Sequence, residues 1–173
     1  GMFLYIFIRF RRWQYGLGSV VALAHDVIIV LGLYSLLQGV MPFSMDIDQA
    51  FIAAILTVVG YSLNDTVVIF DRIREYLPIY RKRSRKEVYN MALNSTLART
   101  LNTGMATIFV LIVIFIFGGE VIRGFIFALL FGIVFGTYSS LFISTPVLFE
   151  TTKRKGEETD AHPAETEKKK IAG

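Results

Sequence analysis

Cysteine is absent from the chain, which excludes disulfide frameworks, thiolate metal sites and cysteine nucleophiles. Histidine occurs twice and only His25 lies in an apolar stretch, so there is little material for a metal centre. Charge is scarce as well: Asp, Glu, Lys and Arg make up 18% of the residues, against about 25% in a soluble domain. The scarcity is uneven. Residues 100–119 and 124–149 contain none of the four charged types, and each stretch outruns the roughly 18 apolar residues that suggest a bilayer span. With 54% of the 173 residues in the apolar set and a mean hydropathy of +0.55, an ordinary water-soluble domain is excluded. A Gly-rich phosphate loop, a nucleophile–base pair and a metal-ligand cluster are also missing from the pattern, which argues against an enzyme.

What is present reads as an all-α, polytopic transmembrane helix bundle. The charge-poor stretches predict full spans at residues 16–38, 48–70, 100–117 and 122–149. Residues 2–8 form a shorter apolar run, insufficient for a hydrocarbon core of roughly 30 Å, and read as the end of a truncated helix. Gly1 ahead of Met2 looks like a tag scar, so the expectation is an expressed piece of a longer protein. A signal peptide fits poorly, because Arg9, Arg11 and Arg12 follow the apolar run instead of preceding it. The expected organisation is therefore a helix end at 1–8, a membrane bundle at 9–152 and a disordered tail at 153–173. That tail is charged, contains Pro163 and lacks apolar periodicity.

The net charge of +4 reports topology. Lys and Arg cluster before the first full span, between the second and third, and after the fourth, whereas residues 39–47 and 118–121 contain neither. Basic loops mark the cytoplasmic side, which places the tail there too. Anionic lipid headgroups are a modest additional partner for these charges, and nucleic acid is not expected. Within the connection near 72–98, Ser84-Arg85-Lys86-Glu87 fits a capping box and Val88, Met91 and Ala92 fall on one face, predicting a short amphipathic helix on the membrane surface.

An ionisable side chain inside a span costs about 2.5–3.5 kcal/mol on insertion scales, so each one is a functional candidate. Four stand out as candidates: His25 and Asp26 in the first full span, Asp65 in the second, and Arg99 at the start of the third. Thr57, Tyr61, Asn64, Asp65 and Arg72 share a helical face by three-, four- and seven-residue steps, as do Thr96, Arg99, Thr100, Thr103 and Thr107. Such stripes need each other or water. Two readings stand: a buried Asp65–Arg99 ion pair that fixes packing, or a proton relay in which Asp65 alternates between protonated and ionised forms beside Arg99. His25 and Asp26 point about 100° apart on a helix, so they do not face one site equally; structural and functional roles are both open. In the last span, Gly124, Ala128, Gly132, Gly136, Ser140 and Ser144 recur every four residues, a small-residue face for close helix packing or for a moving seam. Gly60 is either a contact point or a flexible position.

The run Val59-Gly60-Tyr61-Ser62-Leu63-Asn64-Asp65-Thr66-Val67-Val68-Ile69-Phe70-Asp71-Arg72-Ile73-Arg74-Glu75 resembles the signature of the SecF family of protein-export membrane subunits. Ala24-His25-Asp26-Val27, the run from Ser95 through Arg99 to Thr103, and the Gly-rich last span resemble the same family in the same order. The resemblance implies a half of a resistance-nodulation-division-type machine in the cytoplasmic (inner) membrane of a bacterium or archaeon. It would use protons as coupling ion, with no other cofactor, and work with SecD to assist preprotein export through the SecYEG translocon; YajC and YidC are further possible partners. Carried over residue by residue, Asp65 is the proton-carrying carboxylate and Arg99 its basic partner, with Asn64, Thr66, Asp71 and Arg72 in the same signature. Asp71-Arg72 suits a helix cap or a loop clamp equally. The family pattern has six spans and an exterior domain that this chain lacks. The alternatives are a non-catalytic scaffold for translocon assembly, or half of a related proton-driven exporter.

Overall fold

The computed structural model of the protein describes residues 13–160. The apolar segment 1–8 and the arginines at 9, 11 and 12 lie outside the described residues. Five α-helices follow in order: α1 Trp13–Leu37, α2 Gln49–Ile79, α3 Arg85–Phe117, α4 Glu120–Ser139 and α5 Thr145–Asp160, with a π-helical turn, Ser140–Ser144, joining the last two. Four segments are long and apolar enough to cross a bilayer: Trp13–Leu37, Gln49–Ile79, Arg85–Phe117 and Glu120–Thr152. Helix is the physically required state there, since it pairs every backbone N–H and C=O within the segment where no water is available.

The ends of the helices have local causes. Gly39, at φ +85°, takes the left-handed conformation just past α1. Asp48 caps α2, its carboxylate accepting from the Phe51 N–H at 2.9 Å. Near the other end of α2, Pro78 cannot donate a backbone hydrogen bond, and the helix stops at Ile79. Ser84 caps α3 by accepting from the Glu87 N–H at 3.3 Å, as the capping-box pattern predicts.

Three expectations about element extent are corrected. No separate surface helix forms after Ser84: the capped turn runs without interruption into the third span, as one 33-residue helix. Asp71 and Arg72 lie inside α2, so neither caps a helix; the connection shrinks to residues 80–84. Residues 153–160, expected to be disordered, continue α5, while 161–173 lie outside the described residues. The shared reason is that a helix already nucleated by an apolar span propagates cheaply beyond it, at one hydrogen bond per residue added.

Packing is layered along the bundle axis. At the end remote from the basic loop, Val30, Tyr34, Phe51, Val58, Leu111, Phe127 and Ile133 form one apolar cluster. At the basic end, Tyr15, Ile69, Phe70, Ile73, Tyr89, Leu141 and Leu148 form another. Between them all four spans turn buried polar or small groups inward: Asp26 from α1, Ser62, Asp65 and Thr66 from α2, Thr96 and Thr100 from α3, and Ser139 and Ser140 at the end of α4. Outward faces carry Ile28, Leu56, Phe109 and Val113, the surface a bilayer requires.

The small-residue face of α4 makes this close approach possible. Gly124, Ala128, Gly132, Gly136, Ser140 and Ser144 are all buried, and α4 packs against α1, α2 and α3. A Cβ at Gly132 would overlap the Val58 side chain, and one at Gly136 would stand 3.2 Å from the Ser62 Cβ. A Cβ at Gly60 would meet nothing within 4 Å, so Gly60 is no contact point.

Candidate functional site

The middle layer contains two carboxylates in different surroundings. Asp26 is fully buried on α1. Its Oδ2 accepts a hydrogen bond from Ser62 Oγ on α2 at 2.7 Å, and His25 Nδ1 lies 3.3 Å from its Oδ1. His25 is half-buried, so the neighbours divide as helical geometry demands: Asp26 points inward and His25 reaches back to it from the rim.

Ser62 is also where the network joins the last span. Ser140 Oγ donates to the Ser62 carbonyl at 3.1 Å and Thr66 Oγ1 donates to Ser140 Oγ at 3.0 Å. Ser140 Oγ lies 2.9 Å from the Gly136 carbonyl, and the Ser144 and Thr145 hydroxyls both approach the Ser140 carbonyl, at 2.7 Å and 3.5 Å. Hydroxyls that compete for main-chain carbonyls loosen the regular helical ladder, and the π-helical turn falls on this serine- and threonine-rich segment. The four-residue spacing reads Ser140 and Ser144 as part of a small-residue packing face or moving seam and does not predict the turn. The clustering of Ser139, Ser140, Ser144 and Thr145 was the available signal.

Asp65 sits three residues beyond Ser62 on α2, is 5% exposed, and its Oδ2 is buried without a hydrogen-bond partner. The Thr137 hydroxyl on α4 is buried and unpartnered too, and the buried Tyr61 hydroxyl, one turn earlier, lies beside the Thr107 side chain of α3. A Cβ at Gly104 on α3 would lie 3.3 Å from Thr137 Oγ1 and 3.8 Å from the Tyr61 hydroxyl. The seam where α2, α3 and α4 meet is thus lined by unsatisfied polar atoms. Buried polar groups in proteins are characteristically paired, by protein or by water.

The structural alternative for Asp65, a closed ion pair with Arg99, is not formed: no Asp65–Arg99 contact falls within the 4.0 Å of an ion pair. Arg99 is close enough to act on Asp65 electrostatically but is itself exposed on α3. Periodicity had joined Thr96, Arg99, Thr100, Thr103 and Thr107 into one face. The structure divides them: Thr96 and Thr100 are buried, whereas Arg99 and Thr103 are exposed. The Thr103 hydroxyl returns to its own helix, donating to the Arg99 carbonyl at 2.9 Å. On α2, Thr66 joins the Ser140 network and Asn64 faces outward. Arg72 binds Glu75 at 2.9 Å and lies 5.5 Å from the Tyr76 ring centroid, far along α2 from Asp65. Arg123, inside the segment read as the fourth span, is half-buried near the remote end of α4; an arginine there can extend its head toward the interface.

Four apolar spans closed on a layer of buried hydroxyls and carboxylates define a multi-pass membrane protein with an intramembrane polar site. A family model described as protein export membrane protein SecD/SecF, C-terminal, matches residues 1–154, and the chain belongs to this family. It is 59% identical over 153 residues to the protein translocase subunit SecF of Rhodothermus marinus, an alignment covering 88% of this chain and 49% of that protein. The SecF of Cereibacter sphaeroides is 46% identical over 162 residues, 93% of this chain and 48% of that one. The chain therefore spans about half the length of the curated relatives it matches. Among solved structures, SecDF in its super-membrane-facing form matches with a TM-score of 0.81 and 40% identity, over 92% of this chain and 21% of that chain. A second SecDF structure, from Thermus and described as a translocon-associated membrane protein, gives a TM-score of 0.77 at 40% identity, over 87% of this chain and 20% of that chain.

Proposed function

We propose that the chain forms the membrane half of a SecF-type subunit that works with SecD to assist preprotein export through the SecYEG translocon, driven by the proton-motive force. In this reading it resides in a bacterial or archaeal cytoplasmic membrane with its basic loop and tail on the cytoplasmic side. The observation that carries the proposal is the state of Asp65: a buried carboxylate with one oxygen unpartnered and no ion pair to Arg99. A carboxylate retained only for packing would be expected to have its partner closed upon it, since an unpaired charge in this environment is costly. A carboxylate that gains and loses a proton needs a free oxygen and polar groups near it, and the buried hydroxyls of Tyr61 and Thr137 along the seam of α2, α3 and α4 support this reading.

Arg99 extends the argument to the partner. A guanidinium on a lipid-facing surface costs about 2.5–3.5 kcal/mol, so its exposure in this half points to a polar surface on SecD that covers it. Protonation of Asp65 would remove the charge that Arg99 feels, and the helices carrying the two could then shift relative to each other. A transmembrane potential supplies about 2.3 kcal/mol per charge per 100 mV for that work.

The test is Asp65→Asn in the complete SecD–SecF complex. Export stimulation by a proton gradient should be lost while SecD–SecF recovery is unchanged. Export at the wild-type level would overturn the relay, and failure of the complex to assemble would favour the scaffold reading.

A further inference from the structure

The first turns of α3 are flanked by two cavities that the polar layer does not use. On one side a groove of about 520 Å³ runs between α3 and the π-turn with α5. Its lining is graded: Lys86, Asn90 and Asn94 follow one another at four-residue steps along α3, and beyond them the walls are apolar, with Leu97 facing Phe142 and Phe149. On the other side a cavity of about 340 Å³ is lined by Arg81, Arg83 and Arg85 and, among the described residues, by no acidic one. Tyr89 walls both cavities, its ring 5.3 Å from that of Phe149. Among the described side chains, Glu75, Glu87 and Glu150 are the acidic ones near this region in sequence, and they line neither cavity.

Both features sit where the apolar part of α3 gives way to its charged start, the level at which a bilayer changes from acyl chain to phosphate. A soluble anion would need only the arginine cavity and leaves the apolar groove unexplained. A neutral lipid would need only the groove and would make no use of Lys86 at its rim. We propose that this groove is a binding site for an anionic phospholipid, one acyl chain lying along Leu97, Phe142 and Phe149 and the phosphate at the Lys86 rim beside the arginine cavity. The occupant is thereby a structural lipid held at one place, and the site is independent of the proton chemistry at Asp65.

Native mass spectrometry of the intact chain in detergent, titrated separately with dioleoylphosphatidylglycerol and dioleoylphosphatidylcholine, tests this directly. The phosphatidylglycerol adduct should exceed the phosphatidylcholine adduct by about five-fold or more, the fold-change expected per basic residue near a phosphate. Lys86→Gln should remove about that factor for phosphatidylglycerol alone, whereas Lys86→Arg should keep it. Leu97→Trp, which fills the groove, should lower both adducts. If Leu97→Trp fails to stay monodisperse, Phe142→Ala serves instead, since Phe142 is 60% exposed and its loss removes a wall of the groove without touching the core. Equal retention of the two lipids, Lys86→Gln indistinguishable from wild type, or groove variants with unchanged adducts would each overturn the proposal. So would displacement of phosphatidylglycerol by glycerol 3-phosphate at equal concentration, because the site would then belong to a soluble phosphate.

Discussion

Asp26 and Asp65 are carboxylates of one polar layer, and the difference between them is what their oxygens touch. Asp26 accepts from Ser62 at 2.7 Å and contacts His25, whereas Asp65 keeps a buried oxygen without a partner. The first arrangement suits a fixed joint and the second a group that exchanges a proton. Ser62→Ala should therefore act on stability, by about 1–3 kcal/mol, because it strips a hydrogen bond from a buried carboxylate; equilibrium unfolding in mixed micelles measures it. Gly132 offers a second residue-level prediction. Gly132→Ala would press a methyl against Val58, whose branched side chain has little freedom to turn aside, at a cost of about 1–3 kcal/mol. Val58→Ala in the same chain should recover most of that loss. The four-residue recurrence of small residues was readable from sequence. Their partners were not, because Val58 lies 74 positions from Gly132 and nothing local encodes the contact.

At the scale of elements, the spans were legible and their ends were not. A bilayer demands uninterrupted apolar runs, and residues 16–38, 48–70, 100–117 and 122–149 each fall largely within a helix the structure contains. Helices α2 and α3 nonetheless run well past their apolar parts, into Arg72 and back to Arg85, where no membrane is needed to sustain them. The Ser84 cap was read correctly and the length of the helix it opens was not, since a cap specifies a start and says nothing of the stop. Ser84→Ala should accordingly loosen the first turn of α3 by about 1 kcal/mol, seen as faster amide hydrogen exchange around residues 87–89 with the deeper part of the helix unaffected. Protection falling along the whole of α3 would mean that the cap supports the span itself. The Asp65–Arg99 pairing shows the same boundary of legibility: spacing places residues on a helical face, but the rotation of that face against its neighbour depends on packing, and here it turns Asp65 inward and Arg99 outward.

As a whole molecule the chain is two apolar clusters separated by a polar layer, in a length about half that of its SecF relatives. The layer crosses all four spans, and hydrogen bonds from Ser62 and Thr66 tie the stretch of α2 around Asp65 to Asp26 on α1 and to Ser140 in the π-turn. Arg99 is exposed at the outer side of α3, and in the proposed reading SecD covers it. The central question is whether Asp65 handles protons in the complete SecD–SecF complex. Proton uptake into proteoliposomes containing the complete SecD–SecF complex, followed with an internal pH-sensitive dye under an imposed potential, measures this. Wild type should acidify the lumen and Asp65→Asn should fall to the rate of protein-free vesicles, with Ser62→Ala retaining activity; undiminished uptake by Asp65→Asn would contradict the account.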